Sequence, residues 1–538
     1  MFQAVQAQRK RIRFSRLADV PMVRFGMALA VAGLVGGCLP PPRVLTPDEQ
    51  HTIDRQQVEY PAGYELRRYA TGFTAPTAMA FDADGSLLVA EGVRGEEPRI
   101  WRVTANGKSP TLFYPRDDSL LPFRIPRTGW RMYGPIGGMV VHDGNVIVTH
   151  RDGNDLGVVT ALDSKGGHKT ICAGFPAEGD YGLTDLAIDP RTGRLWFACG
   201  SVTNSGVVGM DNWAAGWVRE HPDAHDIPFH DIEELGYKFQ TTNPLAGLFG
   251  PADIAVTAAF QAFNQSFAIR VRGSPDGKPS GAIYSVAADG GFATVEAYGV
   301  HHARGIAFNE FGQPYITNDG MEMRGTRPIK NDPDSLVRLP PGQPWLGWPE
   351  FSTDFEPIGD AKFQPPEWMI APTGYPQVRS LIDQKASGLS SPVRETLLET
   401  AFPSLSGAAK MTFAPTSGPF KEFQGSVIIA FSGDRTPFAS GGITLPRPVG
   451  FKIVRVDLDR HVTRDFIRNV GDLPGSKIDD HNHYLTERPV DVKFGPDGAL
   501  YILDEGQMEV KHAQERFKDS SGQIFRLIPI TPTAATRK

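Results

Sequence analysis

The chain has 538 residues, a formal charge of -6, 58 Gly, 45 Pro and only 3 Cys. A nearly balanced charge with no basic stripe excludes the electrostatic signature of a nucleic-acid binder. Gly and Pro are spread along the whole length, which excludes a low-complexity or fibrous chain and suits many short strands joined by turns.

In chain order, residues 1–37 read as an export signal. Arg9, Lys10, Arg11, Arg13, Arg16 and Arg24 precede an apolar run over 27–35, too short to span a bilayer as a mature helix. The run ends in Val35-Gly36-Gly37-Cys38, which resembles the lipobox of bacterial lipoproteins and implies lipidation at Cys38. The alternative is a cleaved secretory signal with an incidental cysteine. The lipobox implies an exported protein, periplasmic or cell-surface, held to a membrane by its lipid anchor alone. Leu39 lacks the acidic character associated with inner-membrane retention and so favours the outer membrane. Residues 38–60, opening on Pro40, Pro41 and Pro42, are expected to be a tether.

From 61 to 530 one unit recurs six times. Segments beginning at Ala78, Gly137, Asp185, Gly305, Lys410 and Asp491 each carry an apolar run, a Gly-closed turn and a second apolar run. Their β-branched and aromatic composition, bounded by Asp, Gly and Pro, is hairpin chemistry. A further strand, turn and strand follows in each unit, as in AIYSVAADGGFATVEAYG. Four antiparallel strands repeated six times predict an all-β, six-bladed β-propeller. The last unit runs out after GQIFRLIPI into the polar tail 531–538, while YELRRYATGF from Tyr64 precedes the first unit. Pairing these two segments closes the ring and removes two exposed edges.

This topology places the long connections (200–280, 340–406, 432–449 and 505–521) on one rim, around the channel mouth. Function on a rigid scaffold concentrates in such loops. Arg127, Arg131, Tyr181, His301, His302, Arg304, Asp319, Arg435 and Arg488 fall on that face. His221, His225 and His230, and the pair His481 and His483, match no zinc-ligand spacing and read as solvated loop histidines. His301-His302 enters the first strand of blade four beside the channel. One of them suits a general base, and a hydrogen-bonded structural role is equally open. Cys172 and Cys199 read as small buried hydrophobes, with a disulfide as the alternative. There is no C-x-x-C-H haem motif, so electrons would leave through a separate carrier.

In GSVTNSGVVGMDNWAAGW (from Gly200), HPDAHDIPFHDIEEL, DGMEMRGTRPI, WLGWPEF, PVGFKIVRVD and RPVDVKFGPDGALYILDEG, the chain resembles the glucose/sorbosone dehydrogenase family. That resemblance covers nearly the whole mature chain. It implies a six-bladed propeller that uses pyrroloquinoline quinone (PQQ) and calcium to oxidise a sugar or polyol, passing electrons to an external acceptor. PQQ carries three carboxylates, for which Arg131, Arg304, Lys410, Arg435 and Arg488 are the cationic candidates. The family's calcium carbonyls correspond to Gly320 and Met321. At the family's catalytic His stands Tyr181, and its Arg-Asn pair becomes His301-His302. The scaffold is retained while the catalytic positions differ. Two other readings therefore stand beside a rewired dehydrogenase: a propeller that only binds a carbohydrate or cell-envelope partner, and a calcium-dependent lactonase-type hydrolase.

Overall fold

The computed structural model describes residues 41–104, 109–115, 129–244, 246, 253–267, 269–479, 485–511 and 513–530. Cys38, Arg127, His481, His483 and the tail 531–538 lie outside the described residues.

Six antiparallel sheets are arranged as blades. Blade one is Pro76–Phe81, Leu87–Glu91, Arg99–Val103 and Thr111–Tyr114; blade two is Met139–His142, Asn145–Arg151, Gly157–Leu162 and His168–Phe175. Blade three is Leu183–Ile188, Leu195–Cys199, Ala282–Val286 and Thr294–Tyr298; blade four is His302–Phe308, Pro314–Asp319, Asp334–Arg338 and Leu398–Phe402. Blade five is Ala408–Phe413, Ser426–Phe431, Lys452–Asp457 and Val462–Asn469. Blade six takes Pro489–Phe494, Leu500–Asp504 and Gly522–Pro529 from the C-terminal end, and its fourth strand is Tyr64–Phe73 from the N-terminal end. The closing ladder pairs Leu66 with Leu527 and Tyr64 with Pro529.

The blades stand because each alternating strand buries one face against each neighbouring blade. Six apolar clusters result, one in every seam. Leu66, Ile502 and Phe525 of blade six meet Ile428 and Ile453 of blade five, while Phe73 and Leu503 meet Met79 and Val89 of blade one. The first strands contact one another in a closed cycle around the channel. They approach closely enough that a Cβ on Gly305 would lie 2.6 Å from the Ala409 carbonyl, so only glycine fits there.

Residues 41–60 are not a free tether. Arg43–Val44 adds to the closing strand and Val58–Glu59 adds to the outer strand of blade five. Leu45, Ile53 and Val58 are buried, because the polar segment carries just enough apolar side chains to cover two blade edges. Cys172 and Cys199 are both buried and unpaired, as small hydrophobes.

Candidate functional site

One backbone irregularity recurs in the first strands. The register slips near the mouth end in blades one, three, four, five and six. Such a bulge re-aims the side chains beside it. In blade four it falls at Arg304, so that His302 rather than Ala303 lies opposite Asp319. Directly opposed residues share a face with their Cβ atoms about 5 Å apart. The His302 Nδ1 consequently sits 3.3 Å from Asp319 Oδ2, and Arg304 reaches the same oxygen at 3.6 Å.

These residues line a pocket at the channel mouth together with Tyr181, His301, Gly320, Glu322, Asp334 and Arg435. The space they enclose, counted together with the solvent at its open side, is about 370 Å³. The Tyr181 ring stacks on His302 at 4.4 Å between centroids and meets His301 edge-on at 4.8 Å.

The two histidines differ in what holds them. His301 Nδ1 lies 2.7 Å from the Asp319 carbonyl, which can only accept, so Nδ1 carries the proton and Nε2 the lone pair. That Nε2 is sealed from water with no partner, and burial pushes the imidazole down to about 4. His302 keeps 7% exposure, and among the described residues no hydrogen bond engages its Nε2. Burial, reinforced by Arg304 and Arg435, holds His302 well below the usual imidazole range. It is a neutral imidazole with an acidic partner behind it and an unengaged nitrogen on a pocket-lining ring. Asp319 itself is raised by burial, although Arg304 and Arg435 oppose this, and its Oδ1 is buried without a partner.

Asp334 fixes the turn that follows Asp319. It accepts from Gly320 N at 3.0 Å through Oδ1 and from Ser406 Oγ and Gly407 N through Oδ2. Asp332 accepts from Met321 N at 2.8 Å. Gly320 therefore reaches the pocket, whereas Met321 is buried in an apolar cluster under the blade-three and blade-four insertions.

On the other side of Tyr181, Arg324 gathers three carboxylates. It contacts Asp211 at 2.6 Å, Asp180 at 2.8 Å and Glu322, and donates to the Tyr181 hydroxyl at 3.1 Å. Burial and Glu322 raise the Tyr181 phenol well above its ordinary range, so it stays protonated. It already accepts from Arg324, and its own hydrogen remains to donate. A phenol in this state is a donor, not a base.

The sequence-predicted cations are mostly committed elsewhere. Arg488 donates to the carbonyls of Ser432 and Asp434 and packs 4.9 Å from the Phe451 ring. Lys410 donates to the Thr77 carbonyl, faces Asp185 and Asp491, and is lowered by burial. Arg131 is half-buried and is not among the pocket-lining residues. Arg304 donates to Ser432 Oγ at 2.7 Å, and Arg435 pairs with Glu515 at 3.0 Å. Thus Arg304 and Arg435 line the pocket and Arg131, Lys410 and Arg488 do not.

This donor set does not fit a ligand with three carboxylates. Both lining guanidinium groups already oppose carboxylates, and four acidic side chains, Asp319, Glu322, Asp334 and Asp434, share the lining. A calcium set is not preassembled from side chains either. Among the described residues, the acid and imidazole ligand atoms that converge belong to Asp155, Glu220 and His221, where Arg94 already neutralises Asp155.

Glu322 is the functional residue that the sequence did not single out, and Asp319 stood on the expected binding face without a role. Their signal was the acidic run Asp319-Gly320-Met321-Glu322 directly after a second strand, and it gains meaning only once the blade-four register is known.

No family model matches the chain, and neither does any curated protein. Among solved structures, the chain is similar to the PQQ domain of pyranose dehydrogenase from Coprinopsis cinerea. That match has 16% identity and a TM-score of 0.47, covering 88% of this chain and 98% of that one. It is similar to a Trichoderma reesei protein of Carbohydrate-Active Enzymes Family AA12 at 14% identity and a TM-score of 0.49, over 88% and 98%. It is also similar to the PQQ-bound aldose sugar dehydrogenase of Streptomyces coelicolor at 16% and 0.46, over 87% and 99%. The likeness is one of fold.

Proposed function

We propose that this propeller binds a sugar-like polyol at its channel mouth and oxidises one hydroxyl, with His302 as the general base. The observation that carries this reading is the opposed pair of His302 and Asp319, with Nε2 of the histidine left unengaged. The substrate hydroxyl gives its proton to Nε2. The imidazolium that forms is stabilised through Nδ1–H by the Asp319 carboxylate. The carbinol C–H bond breaks with its electron pair, the C=O bond forms, and the hydride passes to a two-electron acceptor of the quinone class, a separate molecule that is reduced to its hydroquinone. Tyr181, stacked on His302, holds the imidazole in position. The sequence resemblance to sugar dehydrogenases supports the same substrate class. Export and lipid attachment at Cys38 belong to this proposal.

A second reading, binding without turnover, is favoured by one feature. The arginines of the pocket are already paired with acids, which among the described residues leaves no pocket-lining cation unpaired for a resident anionic quinone. The test is dye reduction by the full chain over a panel of aldoses and polyols, alongside calorimetric binding. Turnover lost in His302→Gln with binding retained supports the first reading. Binding without turnover in the wild type supports the second, and neither binding nor turnover rejects both.

A further inference from the structure

Among the described residues, the acids around the mouth outnumber the bases. Arg435 lies 3.0 Å from Glu515 and is also within electrostatic reach of Glu322, Glu505 and Asp319. Arg304 faces Asp319 at 3.6 Å and Glu505 beyond it. Arg324, behind Tyr181, is shared among Glu322, Asp180 and Asp211. Among the described residues four guanidinium groups, Arg488 near Glu505, Glu515 and Asp434 included, therefore serve seven carboxyl groups. Among the described residues lining the pocket, an arriving carboxylate finds no unclaimed cation and meets acids that are already undercompensated. Asp319 Oδ1 is buried without a partner, so no protein donor offsets that side of the carboxylate.

We infer that the mouth pocket selects uncharged polyols and rejects anionic ligands of the same shape, sugar acids and the tricarboxylate quinone PQQ included. This rests on the polyol reading above and names the charge class of its ligand. Like charge set against like charge is a common way to exclude a near-isosteric competitor. The specificity-determining residues are Glu515, paired with Arg435 at 3.0 Å, and Glu322, a pocket-lining acid within electrostatic reach of it.

The test uses the full chain in three arms. In the first, PQQ is titrated in with and without calcium chloride while quinone absorbance is followed. No saturable change at micromolar concentration is expected, and stoichiometric uptake overturns the inference. In the second, a neutral aldose and its aldonic acid are compared by calorimetry. The acid is expected to bind at least tenfold more weakly, and equal or tighter binding overturns the inference. In the third, Glu515→Gln releases Arg435 and narrows that gap severalfold; an unchanged gap removes Glu515 from its assigned role. If no polyol binds but PQQ is also refused, the polyol reading fails while the exclusion of anions stands.

Discussion

His302 and Asp319 face each other across the first two strands of blade four, with Nδ1 and Oδ2 3.3 Å apart. The bulge at Arg304 creates that opposition. An unbroken register would set Asp319 against Ala303. The catalytic proposal thus depends on one extra residue in one strand.

In the proposed reaction Asp319 positions the imidazole. Asp319→Asn is expected to reduce kcat roughly 100-fold, within the range of general-base contributions, with little change in KM. The pH profile supplies the check that a structural role would not move. His302 is held neutral, so the wild-type rate should stay level as pH falls from 8 to 6. In Asp319→Asn the lost carboxylate lowers the imidazole further, and the rate stays low without recovering at high pH.

Acid sensitivity follows from burial of two imidazoles. His150 and His301 are each pushed down to about 4 by burial, against about 6.5 when unfolded. Between those values the unfolded chain binds protons that the folded one refuses. Their contribution is complete above pH 6.5 and is lost as pH falls towards 4, at ~3 kcal/mol for each group. Asp334 and Asp504, raised by burial to about 7, have the opposite sign and weaken the fold as pH rises through 4 to 7. In His150→Gln the fall in urea midpoint between pH 7 and pH 5 should be visibly shallower than in the wild type.

Arg324 is the only base in contact with Asp180, Asp211 and Glu322 among the described residues. Removing one partner of a buried ionic set strands the others. Arg324→Met should cost ~3–5 kcal/mol in denaturant unfolding. Burial already lifts Asp211 to about 6, so part of that loss should be recovered on acidification, as the stranded acids take up protons.

The ring seam can be tested on its own. Leu66 is fully buried on the closing strand opposite Leu527. Leu66→Ala should destabilise by ~2–5 kcal/mol, as expected for a large-to-small change in a packed core. A chain lacking residues 41–73 exposes the edge of Gly522–Pro529 and should aggregate during refolding.

Much of the architecture was legible because it is periodic. Alternation in segments such as GIAFNEFGQPYITNDG and their Gly-closed turns announce hairpins, and a third strand without a fourth at the C-terminal end announces closure by Tyr64–Phe73. The site was less legible for physical reasons. A bulge is a backbone event, and no side chain at Arg304 reports it. Arg488 looked like a free cation, yet its guanidinium is spent on the backbone carbonyls of 432 and 434, partners that have no sequence signature. The segment 41–60 looked polar throughout, but Ile53 and Val58 suffice to seat it on blade five.

The most direct measurement is nitrogen NMR of histidine-labelled full-length protein during titration with a neutral polyol. A neutral His302 at pH 7, protonated on Nδ1, is expected, with an Nε2 resonance that shifts on saturation while that of the sealed His301 does not. A His302 resonance that is imidazolium at pH 7, or that ignores a polyol shown to bind, would contradict the role proposed for His302.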